Sequence, residues 1–151
     1  MVSEPTATGD FETGMPTLDE PRLMETLLRF EQAHRRRSVP DMRACFHDEA
    51  MIESVASNGR AVPPDEQADA LASALDDGVY SIRDWRYEEV APQVVLSWTG
   101  ARHLLEDSGM RDEVVCRLHV GRKGLMWRVK LFRTREEALA HLEQHGPSLG
   151  L

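Results

Sequence analysis

The sequence predicts an α+β protein whose curved sheet forms a cone, and the order of its elements is the reason. The first half of the chain has three segments with the apolar spacing of helices and one short strand-like segment. The second half has four strand-like segments and closes with a short helical segment. Because long bent strands that bury one face against helices leave a cavity, this order predicts a cone that encloses one pocket.

Three helices are predicted before the long strands. The first is indicated by apolar residues that recur three and four positions apart. Thr17 or Asp19 is expected to cap it, and it is expected to end at Arg37. The second is a short helix that Asp41 caps and whose apolar residues face inward. The third spans residues 65–75, where two leucines lie four residues apart.

Five strands and a closing helix complete the predicted fold. The first strand covers residues 50–55 and follows a polar turn at residues 47–49. The other strands cover residues 79–90, 93–105, 112–120 and 125–133, and the helix covers residues 136–145. Turns at residues 107–110 and 121–124 join the last three strands, which is typical of an antiparallel meander.

The alternation of residues also predicts which side chains of the two central strands share a face. On the strand over residues 93–105 they are Val94, Leu96, Trp98, Gly100, Arg102 and Leu104. On the strand over residues 112–120 they are Val114, Cys116, Leu118 and Val120, with Glu113, Arg117 and His119 on the other face. Since the side-chain period of a strand is two residues, the apolar set is expected to face the cavity.

Composition restricts the partners and the location of the protein. A chain of 151 residues, 41% of them apolar, is expected to form one domain with one core. A net charge of −8 argues against a nucleic acid or an anionic membrane as partner, since both require a positive surface. No apolar stretch approaches the roughly 18 residues of a membrane span. The acidic N-terminus lacks the basic and apolar regions of a signal peptide, so we expect a cytoplasmic protein.

The two ends of the chain differ in composition from the rest. Residues 1–17 are rich in Pro, Gly, Thr and acidic residues, so we expect a disordered or loosely packed arm there. The folded domain is expected over residues 18–146, followed by a short tail over residues 147–151.

Three stretches of the chain resemble the SnoaL-like branch of the nuclear transport factor 2-like superfamily. They are the first helix with the following FHDEAMIESV, the strand pair with a charged turn that ends at Gly124, and the closing RTREEALAHLEQHG. The resemblance covers roughly residues 22–145 and implies helices packed on a curved, mostly antiparallel sheet. The family includes ketosteroid isomerases, scytalone dehydratase, polyketide cyclases and hydrolases, beside binding-only and oligomerisation domains. The resemblance therefore implies where chemistry would occur, and leaves its kind open.

The catalytic pattern of the ketosteroid isomerases is not kept in this sequence. Phe30 occupies the position of their tyrosine, Ser54 that of the general-base aspartate, and Cys116 lies near that of the proton-donating aspartic acid. Serine is too weakly basic for the task, and neither Phe30 nor Cys116 replaces an oxyanion-hole hydroxyl. The adjacent Glu53 could act as the base only if the strand register shifts by one residue. Steroid isomerisation is therefore disfavoured.

Three polar residues of the predicted strands have two interpretations each. Arg102 could hold an anionic group inside the cone with its guanidinium, or it could lie at the mouth and pair with Glu106. The dehydratase and cyclase patterns use a histidine and an aspartate that line the cone, for which His103 and His119 are the candidates. Both histidines fall opposite the apolar faces of their strands, so the other interpretation directs them to solvent or to a dimer contact.

The hypothesis that follows is a small-molecule-binding cone protein that forms a homodimer through the convex face of its sheet. Its ligand would be small and apolar or amphipathic. The residues expected to line the pocket are Phe30, Ile52, Ser54, Trp98, Arg102, Cys116 and Leu118. No cofactor and no metal are implied, since GxSxG, HExxH, P-loop and dinucleotide-binding motifs are absent from the sequence.

Two functional classes remain open at this point. In an enzyme, a cofactor-free lyase, isomerase or cyclase, Glu53 or His103 would be the base and Arg102 would stabilise developing negative charge. The alternative is a non-catalytic dimerisation or protein-interaction domain. An open cavity with convergent polar groups would favour the ligand-binding class, and a cavity filled by large side chains would favour the interaction domain.

Overall fold

The computed structural model describes residues 21–77, 80–104 and 110–151. Within these ranges the side chains of residues 77, 80–83, 101–104 and 110–114 are outside the description, as is the whole predicted arm over residues 1–17. The elements in chain order are α1 (Leu23–Arg35), α2 (Val39–Arg43), β1 (Phe46–Ile52), α3 (Pro64–Asp77), β2 (Tyr80–Ala91), β3 (Val94–Leu104), β4 (Met110–Arg122), β5 (Leu125–Phe132) and α4 (Arg135–His145).

The five strands form one curved, open sheet in the order β1-β5-β4-β3-β2. The strands β2 to β5 pair antiparallel in chain order, and β1 pairs parallel with β5. Helices pack on this sheet, which confirms the predicted α+β cone. None of the described helices is long and apolar enough to cross a lipid bilayer.

Three local predictions in the first half of the chain are wrong. The first helix begins at Leu23, directly after Arg22, so neither Thr17 nor Asp19 caps it. The polar turn expected at residues 47–49 is part of β1, which begins at Phe46 rather than at residue 50. Because β1 lies at the edge of the sheet, its exposed polar side chains carry no burial cost there. The cap of α2 is Ser38, whose Oγ accepts a hydrogen bond from the backbone N–H of Asp41.

The two faces of the sheet are both covered, and each has its own apolar cluster. The first cluster joins α1, α2 and α3 to β1, β3 and β5, with members including Leu23, Leu27, Met42, Phe46, Ile52, Leu71, Val95, Met126 and Val129. The second cluster lies on the other face, under α4 and the C-terminus, and its buried members are Leu96, Cys116, Leu118, Val120, Ala138 and Leu149. We call these two sides the cavity face and the α4 face.

Two of the last five residues of the chain pack in the second cluster. Leu149 is only 1% exposed, and its carbonyl oxygen lies 2.8 Å from Nε2 of His141 on α4. Leu151 also packs against the cluster. The segment set apart as a tail by its composition therefore covers part of the α4 face.

Two neighbouring glutamates of β2 hold a helix on each face. Glu89 forms two hydrogen bonds with the guanidinium of Arg22, at the start of α1. Glu88 does the same with Arg135, the first residue of α4. Since adjacent side chains of a strand point to opposite faces, the pair fixes where both helices begin over the sheet.

Candidate functional site

A cavity of about 50 Å³ lies between the helices and the cavity face of the sheet. It has room for a few water molecules. The side chains around it are Leu27, Phe30, Phe46, Ile52, Glu53, Ser54, Gln67, Leu71, Trp85, Tyr87, Ser97, Arg117, His119, Met126 and Val129. Most of this wall is apolar. Its polar part comes from two places: Ser97, Arg117 and His119 on β3 and β4, and Glu53, Ser54 and Gln67 after β1 and on α3.

Four polar side chains of β3 and β4 are buried together on this face: Ser97, Thr99, Arg117 and His119. We call them the β3–β4 polar cluster. Ser97 pairs with Arg117 across the ladder, yet its Oγ lies 2.8 Å from Nε2 of the diagonal neighbour His119. Nη1 of Arg117 likewise donates a 2.6 Å hydrogen bond to Oγ1 of its diagonal neighbour Thr99. The two hydroxyls of β3 therefore position the two basic side chains of β4.

The environment of His119 keeps its imidazole neutral. Burial lowers the pKa of His119 to about 3, and the positive charge of Arg117 acts in the same direction. Nδ1 of the ring is buried and has no hydrogen-bond partner among the described residues. At neutral pH the ring can donate or accept hydrogen bonds, but it is too weak a base to abstract a proton from carbon.

Aromatic side chains of α1 and β2 close the cavity on the side away from β5. The ring of Trp85 lies 6.2 Å from that of Phe30 and 5.5 Å from that of His34. Tyr87 donates a 2.6 Å hydrogen bond to Oε1 of Glu31. Burial and this contact with Glu31 raise the pKa of the Tyr87 hydroxyl well above its usual range, so the hydroxyl remains protonated.

The face of β3 and β4 that was predicted to line the cavity is the wrong one, and the opposite face lines it. Trp98, Cys116 and Leu118, which were expected to line the pocket, belong to the α4-face cluster. The reason is that α4 covers a face that solvent was expected to occupy. With helices on both sides, the more apolar set of residues no longer identifies the inner face.

His119 lies on the cavity wall, and the prediction that it points to solvent or to a dimer contact is wrong. The side chain is 5% exposed. A signal for this site does exist in the sequence. Ser97 and Thr99 alternate on one strand just as Arg117 and His119 do on the next. Hydroxyl groups opposite basic side chains can form the hydrogen bonds that these side chains need inside a protein.

Four of the other predicted site residues lie beside the cavity. Phe30, Ile52, Ser54 and Glu53 all contribute to its wall. The Glu53 carboxylate, however, accepts hydrogen bonds from Nζ of Lys130 at 2.9 Å and from the backbone N–H of Leu131 at 3.1 Å. The Ser54 hydroxyl donates to Oε1 of Gln67 at 3.1 Å. That these residues contact a ligand, or that Glu53 acts as a base, remains a prediction.

Arg102 and His103 are described only through their backbone. In β3 Arg102 pairs with Ser81 and Asp112, and His103 pairs with residues 80 and 111. Their side chains lie outside the described part of the structure, so their proposed roles remain predictions. Among the residues whose side chains are described, no group of three or more His, Cys, Asp or Glu is arranged to hold a metal ion.

Comparison with known proteins identifies the fold. No family profile matches the sequence, and no curated protein matches it. An NTF2-like protein of unknown function from Burkholderia pseudomallei has 10% identity and a TM-score of 0.60, over 78% of this chain and 95% of its own. A proposed polyketide cyclase from Xanthomonas campestris has 14% identity and a TM-score of 0.58, over 79% of this chain and 95% of its own.

An LEH-like epoxide hydrolase from M. tuberculosis is also similar in structure. It has 12% identity and a TM-score of 0.56, and the match covers 81% of this chain and 90% of that one. The structural similarity establishes the fold, but sequence identities this low do not indicate a shared activity. The chain has the nuclear transport factor 2-like fold, which it shares with several proposed polyketide cyclases.

Proposed function

We propose that this protein binds a small, mostly apolar molecule in the cavity between the helices and the sheet. The observation that carries the proposal is the β3–β4 polar cluster on the wall of a mostly apolar cavity. Burying an arginine and a histidine costs free energy, and binding sites combine an apolar wall with a few polar groups that orient the ligand. An open cavity with convergent polar groups was the feature expected to distinguish ligand binding from a non-catalytic interaction domain, and the polar groups are the part of it that supports the proposal.

A ligand of more than a few heavy atoms needs a wider cavity than the present 50 Å³. Trp85 is the side chain best placed to provide it, because it lines the wall, is only partly buried and packs against Phe30. An outward movement of this indole would join the cavity to solvent. We therefore propose that ligands enter past Trp85.

A catalytic version of this site is less well supported than binding. The cofactor-free lyase, isomerase or cyclase would use Glu53 or His103 as its base. Glu53 would first have to leave Lys130, and neutral His119 does not replace it. The polar cluster is better suited to holding a ligand group than to removing a proton.

We also propose that the protein forms a homodimer, through a contact that uses only part of the sheet face. Part of the α4 face is covered by α4 and Leu149. Val90 of β2 is 41% exposed and lies two residues from Glu88, which contacts α4. We propose that β2 carries the contact between subunits. Sedimentation velocity of Val90→Lys tests it, since a charge there should produce monomers, and an unchanged dimer would place the contact elsewhere.

Native mass spectrometry tests ligand binding. The purified protein is expected to carry an added small mass that denaturation releases. Leu71→Phe should remove that mass, because the larger ring fills the cavity from α3. Leu142→Phe is the matched control, since it adds the same volume on the α4 face. Equal retention of the mass by both variants would mean that the ligand lies outside the cavity.

A further inference from the structure

One buried nitrogen of the cavity wall has no hydrogen-bond partner. It is Nδ1 of His119, whose side chain is 5% exposed and lines the cavity. Buried hydrogen-bonding atoms are rarely left without a partner, because the loss of their hydration is then not compensated. Since no group in the described part of the protein bonds this atom, a molecule inside the cavity is the partner that can reach it.

The hydrogen bond between Ser97 and His119 determines whether this nitrogen donates or accepts. A neutral imidazole carries one proton, on either Nδ1 or Nε2. Among the described residues the Ser97 hydroxyl has a single acceptor, Nε2 of His119 at 2.8 Å. A buried hydroxyl without an acceptor costs free energy, so the arrangement in which Ser97 donates to Nε2 is favoured. The ring proton then lies on Nδ1, which is a donor that needs an acceptor.

The acceptor that suits this donor is uncharged. Burial keeps the His119 ring neutral by lowering its pKa to about 3, so the ring offers no charge to compensate a buried anion. Arg117, the cation whose charge acts on the ring, is bonded to Thr99 and has a further interaction besides. A carbonyl oxygen has lone pairs and no net charge, so it can accept from Nδ1–H inside an apolar cavity.

The rest of the wall suits a molecule with a single polar end. Most side chains around the cavity are apolar, including Leu27, Phe46, Ile52, Met126 and Val129. The apolar body of a ketone, aldehyde or ester gains free energy when it is buried against such side chains. One well-placed hydrogen bond is then sufficient to fix its orientation.

We infer that the ligand carries an uncharged carbonyl group, whose oxygen accepts a hydrogen bond from Nδ1–H of His119. The inference rests on the proposed function, since it specifies the group by which the ligand is oriented. His119 is a binding residue in this arrangement, because a ring that donates from Nδ1 and accepts at Nε2 orients the carbonyl and removes no proton from it.

Two pairs of isosteric probes test it: cyclopentanone with methylenecyclopentane, and acetophenone with α-methylstyrene. In each pair C=CH₂ replaces C=O, which keeps the shape and removes the acceptor. Dissociation constants are measured by NMR titration for the natural protein and for His119→Leu. We expect the substitution to weaken the binding of each ketone about three- to tenfold more than that of its hydrocarbon. Because each probe is compared with itself in two proteins, the different hydration of ketone and hydrocarbon cancels.

His34→Leu is the matched control for this experiment. His34 is also a buried histidine with an unpartnered ring nitrogen, Nε2, but it is not one of the side chains around the cavity. Its substitution should change the affinities for ketone and hydrocarbon by the same factor, within about twofold. A ketone-specific loss as large as that of His119→Leu would overturn the assignment of the hydrogen bond to His119.

The outcomes separate this inference from the proposed function. Equal weakening of ketone and hydrocarbon by His119→Leu would overturn the carbonyl group and leave ligand binding intact. No binding of any of the four probes by the natural protein would overturn both.

If His119→Leu does not fold, the natural protein with isotope-labelled histidine decides. Its NMR spectrum should show a proton on Nδ1 of His119, and saturation with acetophenone should shift the Nδ1 resonance further than saturation with α-methylstyrene does. An Nδ1 without a proton, or equal shifts with the two bound probes, would overturn the inference.

Discussion

Removal of the buried histidine should change how stability depends on pH. In the folded protein the pKa of His119 is about 3, whereas in the unfolded chain it is near 6.5. Acidification therefore protonates this histidine in the unfolded chain first. The contribution of neutral His119 to the free energy of unfolding is complete above pH 6.5 and is lost as the pH falls toward 3. Since one pKa unit corresponds to about 1.4 kcal/mol, the loss between pH 7.5 and 4.5 is about 3 kcal/mol.

The perturbation is His119→Gln, which keeps a polar side chain and does not titrate. Urea denaturation at pH 7.5, 6.5, 5.5 and 4.5 yields the free energy of unfolding of both proteins. Every other titrating group is shared, so its effect cancels in the difference between the two curves. We expect the free energy of unfolding of the natural protein, measured relative to that of the variant, to fall by about 3 kcal/mol over this range.

Ser97→Ala is the matched control for this experiment. It removes the hydrogen bond to Nε2 but keeps the buried imidazole, so it should lower stability by about 1 kcal/mol and retain the pH dependence. If His119→Gln and the natural protein lose stability in parallel between pH 7.5 and 4.5, then His119 is not held neutral by burial, and the description of the cavity wall is wrong.

Four further substitutions test the fold and the entrance of the cavity. Gly124→Ala should destabilise by about 2–3 kcal/mol in thermal unfolding, because the new Cβ would lie 2.7 Å from the carbonyl oxygen of Pro21 at a positive φ. Gly59→Ala, with the same φ of 77° and open space, should cost only about 1 kcal/mol. Leu149→Ala should cost about 2–5 kcal/mol in urea. Trp85→Ala should raise the fluorescence of added 8-anilinonaphthalene-1-sulfonate by opening the cavity.

Each of these has a result that would count against it. Equal losses for the two glycine variants would show that the close approach of Pro21 contributes nothing. A loss below about 0.5 kcal/mol for Leu149→Ala, the usual range of surface substitutions, would detach the C-terminal segment from the core. Dye fluorescence equal to that of the natural protein would exclude Trp85 as the entrance.

The secondary structure could be predicted because its signals are local. Helical spacing in α1 and strict alternation in β3 and β4 are properties of short windows, and neighbouring residues are enough to produce them. The errors occurred where tertiary contacts override such windows. Residues 47–49 lie within an edge strand despite their polarity, because the residues on either side of them, Phe46 and Met51, pair with β5.

The candidate site could be predicted only in part. Phe30, Ile52 and Ser54 lie beside the cavity, as the comparison with a family of known shape implied. Trp98, Cys116 and Leu118 do not, because the choice between the two faces of β3 and β4 was made from apolarity alone. Because side chains of a strand alternate between its two faces, choosing the wrong face for one residue assigns every residue of the strand to the wrong face.

The amino-acid pattern alone was sufficient for the class of the protein, since the periodicity and order of its segments admit few ways to bury one sheet against helices. It was not sufficient for the identity of the cavity wall. That depends on α4 and Leu149, which return to cover the face of Leu96 and Leu118 and leave Ser97, Arg117 and His119 around the cavity. Alternation along a strand is identical for both of its faces, so only the packing of residues distant in the chain distinguishes the inner face from the outer one.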